Sequence, residues 1–280
     1  MVASLDPLID DWTFPWGLTA AIVLPSVLYV RGWFALRKTR PEQFNATRLL
    51  AFLGGLACLW IAIGSPLEAV ADAILSAHMI EHLILMSVVP PLVWLGLPIT
   101  PMLRGLPRFI RRPVLGPLFR SRLLRRFVHG LTRLRVAWLA MNIVYLGWHL
   151  PAAYDFALEN ETWHDIEHLC FLSTAMLFWW CLLRPWPASR RSNNWGLLIY
   201  LVSADVVNTG LSAFLAFCNT PVYTYYVDHP NPLGIQPLPD QTLGAAIMWV
   251  FGSLAFLIPA GAITYSMLMP AAKPRIHVHI

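Results

Sequence analysis

The sequence predicts an all-α protein, a polytopic transmembrane bundle of seven helices forming one membrane domain over residues 1–280. Three observations predict it. Hydrophobic residues make up 57% of the chain and charged residues only 12%, about half the charged share of a soluble domain. Continuous apolar stretches recur along the length, each suited to a hydrocarbon core about 30 Å thick, where a β-barrel would show short alternating segments. All 20 lysines and arginines fall in or beside alternate links between those stretches or in the C-terminal tail.

Taken in order, the spans cover about 16–36, 47–64, 77–97, 136–150, 163–183, 195–218 and 242–269. The fourth is short and closes on Trp148-His149-Leu150-Pro151, where proline stops or kinks a helix. The N-terminal stretch MVASLDPLIDDW lacks the basic region and small-residue cleavage site of a secretory signal, so the first span is expected to stay as an anchor. Cys58, Cys170, Cys181 and Cys218 are scattered without a CxxC pair and read as small buried residues.

Charge sorts the links. Arg31, Arg37, Lys38, Arg40 and Arg48 lie in or beside the link after the first span. Arginines 104, 108, 111, 112, 120, 122, 125, 126, 133 and 135 follow the third. Arg184, Arg190 and Arg191 follow the fifth, and Lys273 and Arg275 lie in the tail. The intervening links hold acidic residues such as Asp6, Asp10, Asp11, Glu68, Asp72, Asp155, Glu159, Glu161 and Asp228. The positive-inside rule then predicts a multi-pass protein with its N-terminus outside and its C-terminus in the cytoplasm. The pI near 9.2 raises the question of nucleic acid. Its placement makes the basic 99–135 link a topology anchor on anionic lipid of the bilayer instead, and no nucleic-acid partner is expected.

In this topology the unusual polar residues collect at one level. His78 and His82 are four residues apart at the start of the third span, so a helix places them on one face, able to approach one ion. His164 and His168 repeat the spacing in the fifth. His149 closes the fourth span, Asp240 and Gln241 open the seventh, and Met248 lies about two turns deeper. Ionisable groups at such depth are costly and point to function. Imidazoles joined by a carboxylate or thioether suit copper, zinc or iron, and the soft sulfur tilts the choice to copper, Cu(I) above all, with zinc as the alternative. The candidate metal ligands are therefore His78, His82, His149, His164, His168, Asp240 and Met248. Glu81, Asp165 and Glu167 stand beside the histidines, able to orient them or to join the ligands.

Plainer readings stand beside these. A lone membrane histidine is more often a helix–helix hydrogen bond, Met248 is more often packing, and Asp240 serves equally as a helix cap. Asp205, in mid-span near Ser203, Asn208, Thr209 and Ser212, reads as a carboxylic acid bonding across helices ahead of a proton or ion relay. His129 and His229 stand apart, and His277 and His279 belong to a fraying tail.

The motifs resemble those of the CtaG-type assembly factors of caa(3)-type cytochrome c oxidase, in the multi-span membrane form. The matching runs are His78-Met79-Ile80-Glu81-His82, Pro90-Pro91 with Leu95-Gly96-Leu97-Pro98, and Trp148-His149-Leu150-Pro151. Tyr154-Asp155, Trp163-His164-Asp165-Ile166-Glu167-His168, Phe178-Trp179-Trp180, Asp240-Gln241, Gly244 and Met248-Trp249 complete the likeness, over about residues 50–265. The resemblance implies a copper-binding chaperone role in metallating or assembling cytochrome c oxidase, with oxidase subunits as partners and no catalytic residues. A homo-oligomer is left open. Three rivals remain on residues alone: a seven-span zinc hydrolase with Asp240 or Glu81 as general base, a haem protein with two axial histidines, and a metal-free scaffold.

Overall fold

A computed structural model describes residues 12–107, 109, 113, 121–183 and 194–269. Arginines 108, 111, 112, 120, 184, 190 and 191, Lys273, Arg275, Asp6, Asp10, Asp11, His277 and His279 of the charge and tail arguments lie outside the described residues. Every regular element among the described residues is helical. In chain order they are α1 (Trp16–Arg37), α2 (Ala46–Gly64), α3 (Pro66–Ala73) and α4 (Leu75–Leu83). A π-helical turn at Ile84–Val88 carries α4 into α5 (Val89–Leu95), followed by α6 (Ile99–Gly105), α7 (Arg122–Leu131), α8 (Leu134–Trp148) and α9 (Pro151–Leu158). The chain then forms α10 (Glu161–Leu183), α11 (Asn194–Phe217), the short α12 (Tyr225–Asp228) and α13 (Pro237–Leu268).

Among the described residues six stretches are long and apolar enough to cross a membrane, and α8 with α9 makes a seventh if the pair, bent by 74°, is one span. The bend falls at Leu150, whose backbone is extended because the ring of Pro151 disfavours a helical conformation in the residue before it. The third span begins at Leu75 and the seventh at Pro237, earlier than the apolar runs suggest, since buried polar residues extend both helices. Side chains such as Leu24, Leu50, Ile143, Leu169, Ile199, Phe217 and Phe251 point outward from the bundle, as hydrocarbon contact requires.

Two features set how the helices meet. Proline lacks the N–H that would bond the carbonyl four residues back, and Pro90 thereby frees that of Met86. The indole Nε1 of Trp179 on α10 donates to this carbonyl at 2.9 Å, and one turn further along Trp94 Nε1 donates to Met176 O at 2.8 Å. These bonds clamp the third span to α10. Elsewhere α6 folds back against α1, where a Cβ on Gly32 would lie 1.8 Å from the Pro101 carbonyl oxygen and one on Gly105 would lie 1.9 Å from that of Leu28. Only glycine admits this backbone approach.

Candidate metal centre

The centre is built where α4 and α10 begin side by side. Ile74 is extended and brings no capping side chain to α4. The cap comes instead from α13, where Asp240 Oδ2 accepts from Leu75 N at 2.8 Å and Oδ1 from Ser76 N at 3.1 Å. A buried carboxylate on the first N–H groups of a helix satisfies orphan donors and opposes the positive end of the helix dipole. His78 follows within the next turn. On α10 the cap is local: Asn160 Oδ1 accepts from Trp163 N at 3.3 Å, and His164 follows directly.

Each helix then carries the same order, histidine, two residues, glutamate, histidine, which puts all three side chains on one face. His78 and His82 have ring centroids 4.2 Å apart, as do His164 and His168. Between the helices, His78 stacks on His164 at 5.3 Å and His82 meets His168 edge-on at 5.5 Å. The glutamates cross over. Glu167 Oε1 lies 3.8 Å from His82 Nε2, and Glu81 Oε1 lies 3.6 Å from His168 Nε2, so each carboxylate faces the last histidine of the other helix.

These distances are contacts rather than hydrogen bonds. Both ring nitrogens of His78 and His82, both oxygens of Glu81 and Glu167, and the Nε2 atoms of His149, His164 and His168 find no hydrogen-bond partner among the described residues. All seven side chains are buried. Unpaired polar atoms at such burial are strongly disfavoured unless something binds them. One potential ligand atom from each of His78, His82 and His168 lies within 4.8 Å of the others, and the same holds for His78, His164 and Glu167. His78 belongs to both groups. Imidazole nitrogens with a carboxylate oxygen form a donor set that fits copper, zinc or iron.

His149, the C-cap of α8, flanks the cluster with its ring centroid 6.2 Å from that of His82. Its Nδ1 lies 2.8 Å from the carbonyl oxygen of Tyr145. A carbonyl only accepts, so Nδ1 carries the proton and Nε2 keeps its lone pair free, as a ligand would. Asp240 and Met248 are buried, and Asp240 belongs to neither group of histidine and carboxylate ligand atoms. Asp240 holds the start of α4, and Gln241 bridges Val222 N and Leu215 O. Asp165 is exposed, and Asp205 lies in α11; neither belongs to the ligand groups.

Residue types and spacing alone did not single out the surroundings. Asp72, whose side chain is half exposed, brings Oδ1 to 3.8 Å from His164 Nδ1. Glu68 lies nearby, and burial together with the carboxylates of Asp72, Asp165 and Glu161 pushes its carboxyl up to about 7. Burial likewise raises the Asp72 carboxyl, against the opposing pull of His164. Tyrosines roof the cluster. Tyr154 meets the His78 ring edge-on at 5.3 Å and stacks on Tyr223 at 3.9 Å. Tyr223 and Tyr226 hydroxyls donate to the carbonyls of His149 and Ala71, each at 3.3 Å. Tyr154 comes from α9, and Tyr223 and Tyr226 from the link between α11 and α13, so no local pattern joins the two stretches.

The profile of a family described as cytochrome c oxidase caa3 assembly factor matches residues 27–269, most of the chain and every residue of this cluster. The chain belongs to that family. Among curated relatives of this chain, an uncharacterized protein of Mycobacterium bovis and one of Mycobacterium tuberculosis are each 29% identical over 255 residues. One of Mycobacterium leprae is 25% identical over 261 residues. Each match covers 88% of this chain but 38% of the relative, so the chain spans well under half the length of the curated relatives it matches. No solved structure matches.

Proposed function

We propose that this caa3 assembly factor takes up copper at the crossed histidine–glutamate cluster and supplies it to cytochrome c oxidase subunits as they assemble. One observation carries the reading. Two helices bring imidazole nitrogens and carboxylate oxygens together in a buried space, and those atoms have no other partner among the described residues. An ion between them would satisfy them, and the family's role in oxidase assembly supplies a destination for copper. The ion is cargo, and the protein is not an enzyme in this reading. The zinc-hydrolase alternative draws no support from the family.

The distribution of basic residues supports an orientation with the cluster toward the outside of a bacterial plasma membrane. There the rim of Glu68, Asp72, Glu161 and Asp165 would draw cations toward His164. Two ligand groups sharing His78 give the ion adjacent positions, which suits a site that must also release it. Elemental mass spectrometry of the purified protein tests the proposal, with His82→Ala and His168→Ala alongside. Copper in the parent that falls in both variants is the expected result. Zinc without copper, or a metal content unchanged by the variants, would overturn it.

A further inference from the structure

Beside the histidine cluster lies a chamber with about 40 Å³ open to the centre of a water-sized sphere, room for an ion or a few water molecules. Met79, Met86, Met141 and Met248 line it, from three different spans, and His82 and His149 share its wall. Both histidines are buried to 5% exposure or less, and each has an unpartnered Nε2. We propose that this chamber is a second metal station, a thioether site that takes Cu(I) from the histidine cluster. The proposal rests on the copper reading above and adds a place and an oxidation state to it.

The chemistry of the wall argues for this ion. A thioether is neutral and soft, so it holds a monovalent soft cation without the negative charge that a buried divalent ion would need. Methionine in a core ordinarily fills irregular gaps, but here four of the chain's nine surround a gap that stays open. Asn208 in the same wall accepts from the Tyr145 hydroxyl at 3.0 Å and donates to the Met248 carbonyl at 3.3 Å, so its amide is satisfied without an occupant. His82 belongs to one ligand group of the cluster and also to the chamber wall, so an ion can pass between them with one ligand kept. Leu83 and Ser87 line both the chamber and an apolar groove on the bundle surface, where they meet Ile247 and Phe251 of α13. The chamber therefore abuts the hydrocarbon side of the protein.

The test uses the full chain in lipid nanodiscs, titrated anaerobically with Cu(I) and separately with Zn(II), and read by stoichiometry and copper X-ray absorption. The fourfold variant Met79→Leu, Met86→Leu, Met141→Leu and Met248→Leu keeps volume and removes sulfur. We expect sulfur scatterers around copper in the parent, and in the variant their loss together with about one Cu(I) per chain, while Zn(II) uptake at the histidine cluster is unchanged. Unchanged zinc uptake also reports that the variant is folded. Should the fourfold variant fail to fold, Met86→Leu and Met248→Leu singly must each reduce the sulfur signal. A copper shell of nitrogen and oxygen alone, indifferent to these changes, overturns the chamber and leaves copper at the histidines. A parent that retains no Cu(I) overturns both.

Discussion

Asp240 offers the sharpest separation between a ligand and a residue that positions ligands. Its carboxylate is 3% exposed and accepts two backbone N–H bonds at the start of α4, whose own N-cap residue supplies none. A hydrogen bond to a charged group contributes about 1.5–3 kcal/mol, and a buried donor left without a partner costs about 1–3 kcal/mol. Asp240→Ala, which strands both N–H groups, should therefore lower stability by about 3–5 kcal/mol. Asp240→Asn keeps one acceptor and sets its amide against the other N–H, for a loss of about half that. Thermal unfolding in nanodiscs measures both. Metal affinity should fall in the same order, because His78 and His82 move with the helix start, while the metal's X-ray absorption spectrum stays that of the parent. An Asp240→Asn protein as stable as the parent but with an altered coordination spectrum would refute the reasoning and make Asp240 a ligand.

The same bookkeeping reaches other positions. Trp179→Phe removes the donor to the Met86 carbonyl and should cost about 1–3 kcal/mol in unfolding experiments, with weaker metal binding as the third span and α10 lose register. Gly32→Ala drives a Cβ into the Pro101 carbonyl and should cost about 3 kcal/mol, whereas Gly54→Ala, with nothing within 4 Å of its Cβ, should be neutral or slightly stabilising. Glu68, whose carboxyl is raised to about 7 from an ordinary 4.5, holds its proton more tightly folded than unfolded. Its contribution therefore weakens the fold progressively as pH rises from about 4.5 through 7 and has no effect below. Glu68→Gln should raise the melting temperature at pH 8 and leave it unchanged at pH 4, and the opposite trend would contradict the burial of this group.

What the sequence could disclose follows from the range of each interaction. Spacing of four residues is local, so the pairing of His78 with His82 and of His164 with His168 on their own faces was legible, as was the break before Pro151. The capping of α4 by Asp240 joins residues 165 apart in sequence, and no local pattern announces it. The crossing of the glutamates was equally hidden. Spacing sets Glu81 beside His78 and His82, yet its carboxylate faces His168, and that choice depends on the register between two helices. The register is held by Trp179 on Met86 and Trp94 on Met176. Trp179 lies eleven residues beyond His168, about 16 Å along the helix. The geometry of the cluster is thus governed from the middle of the membrane, where proline frees a carbonyl and an indole takes it. Pro90-Pro91 and Trp179 shape the cluster as much as the histidines do, although none of them belongs to it.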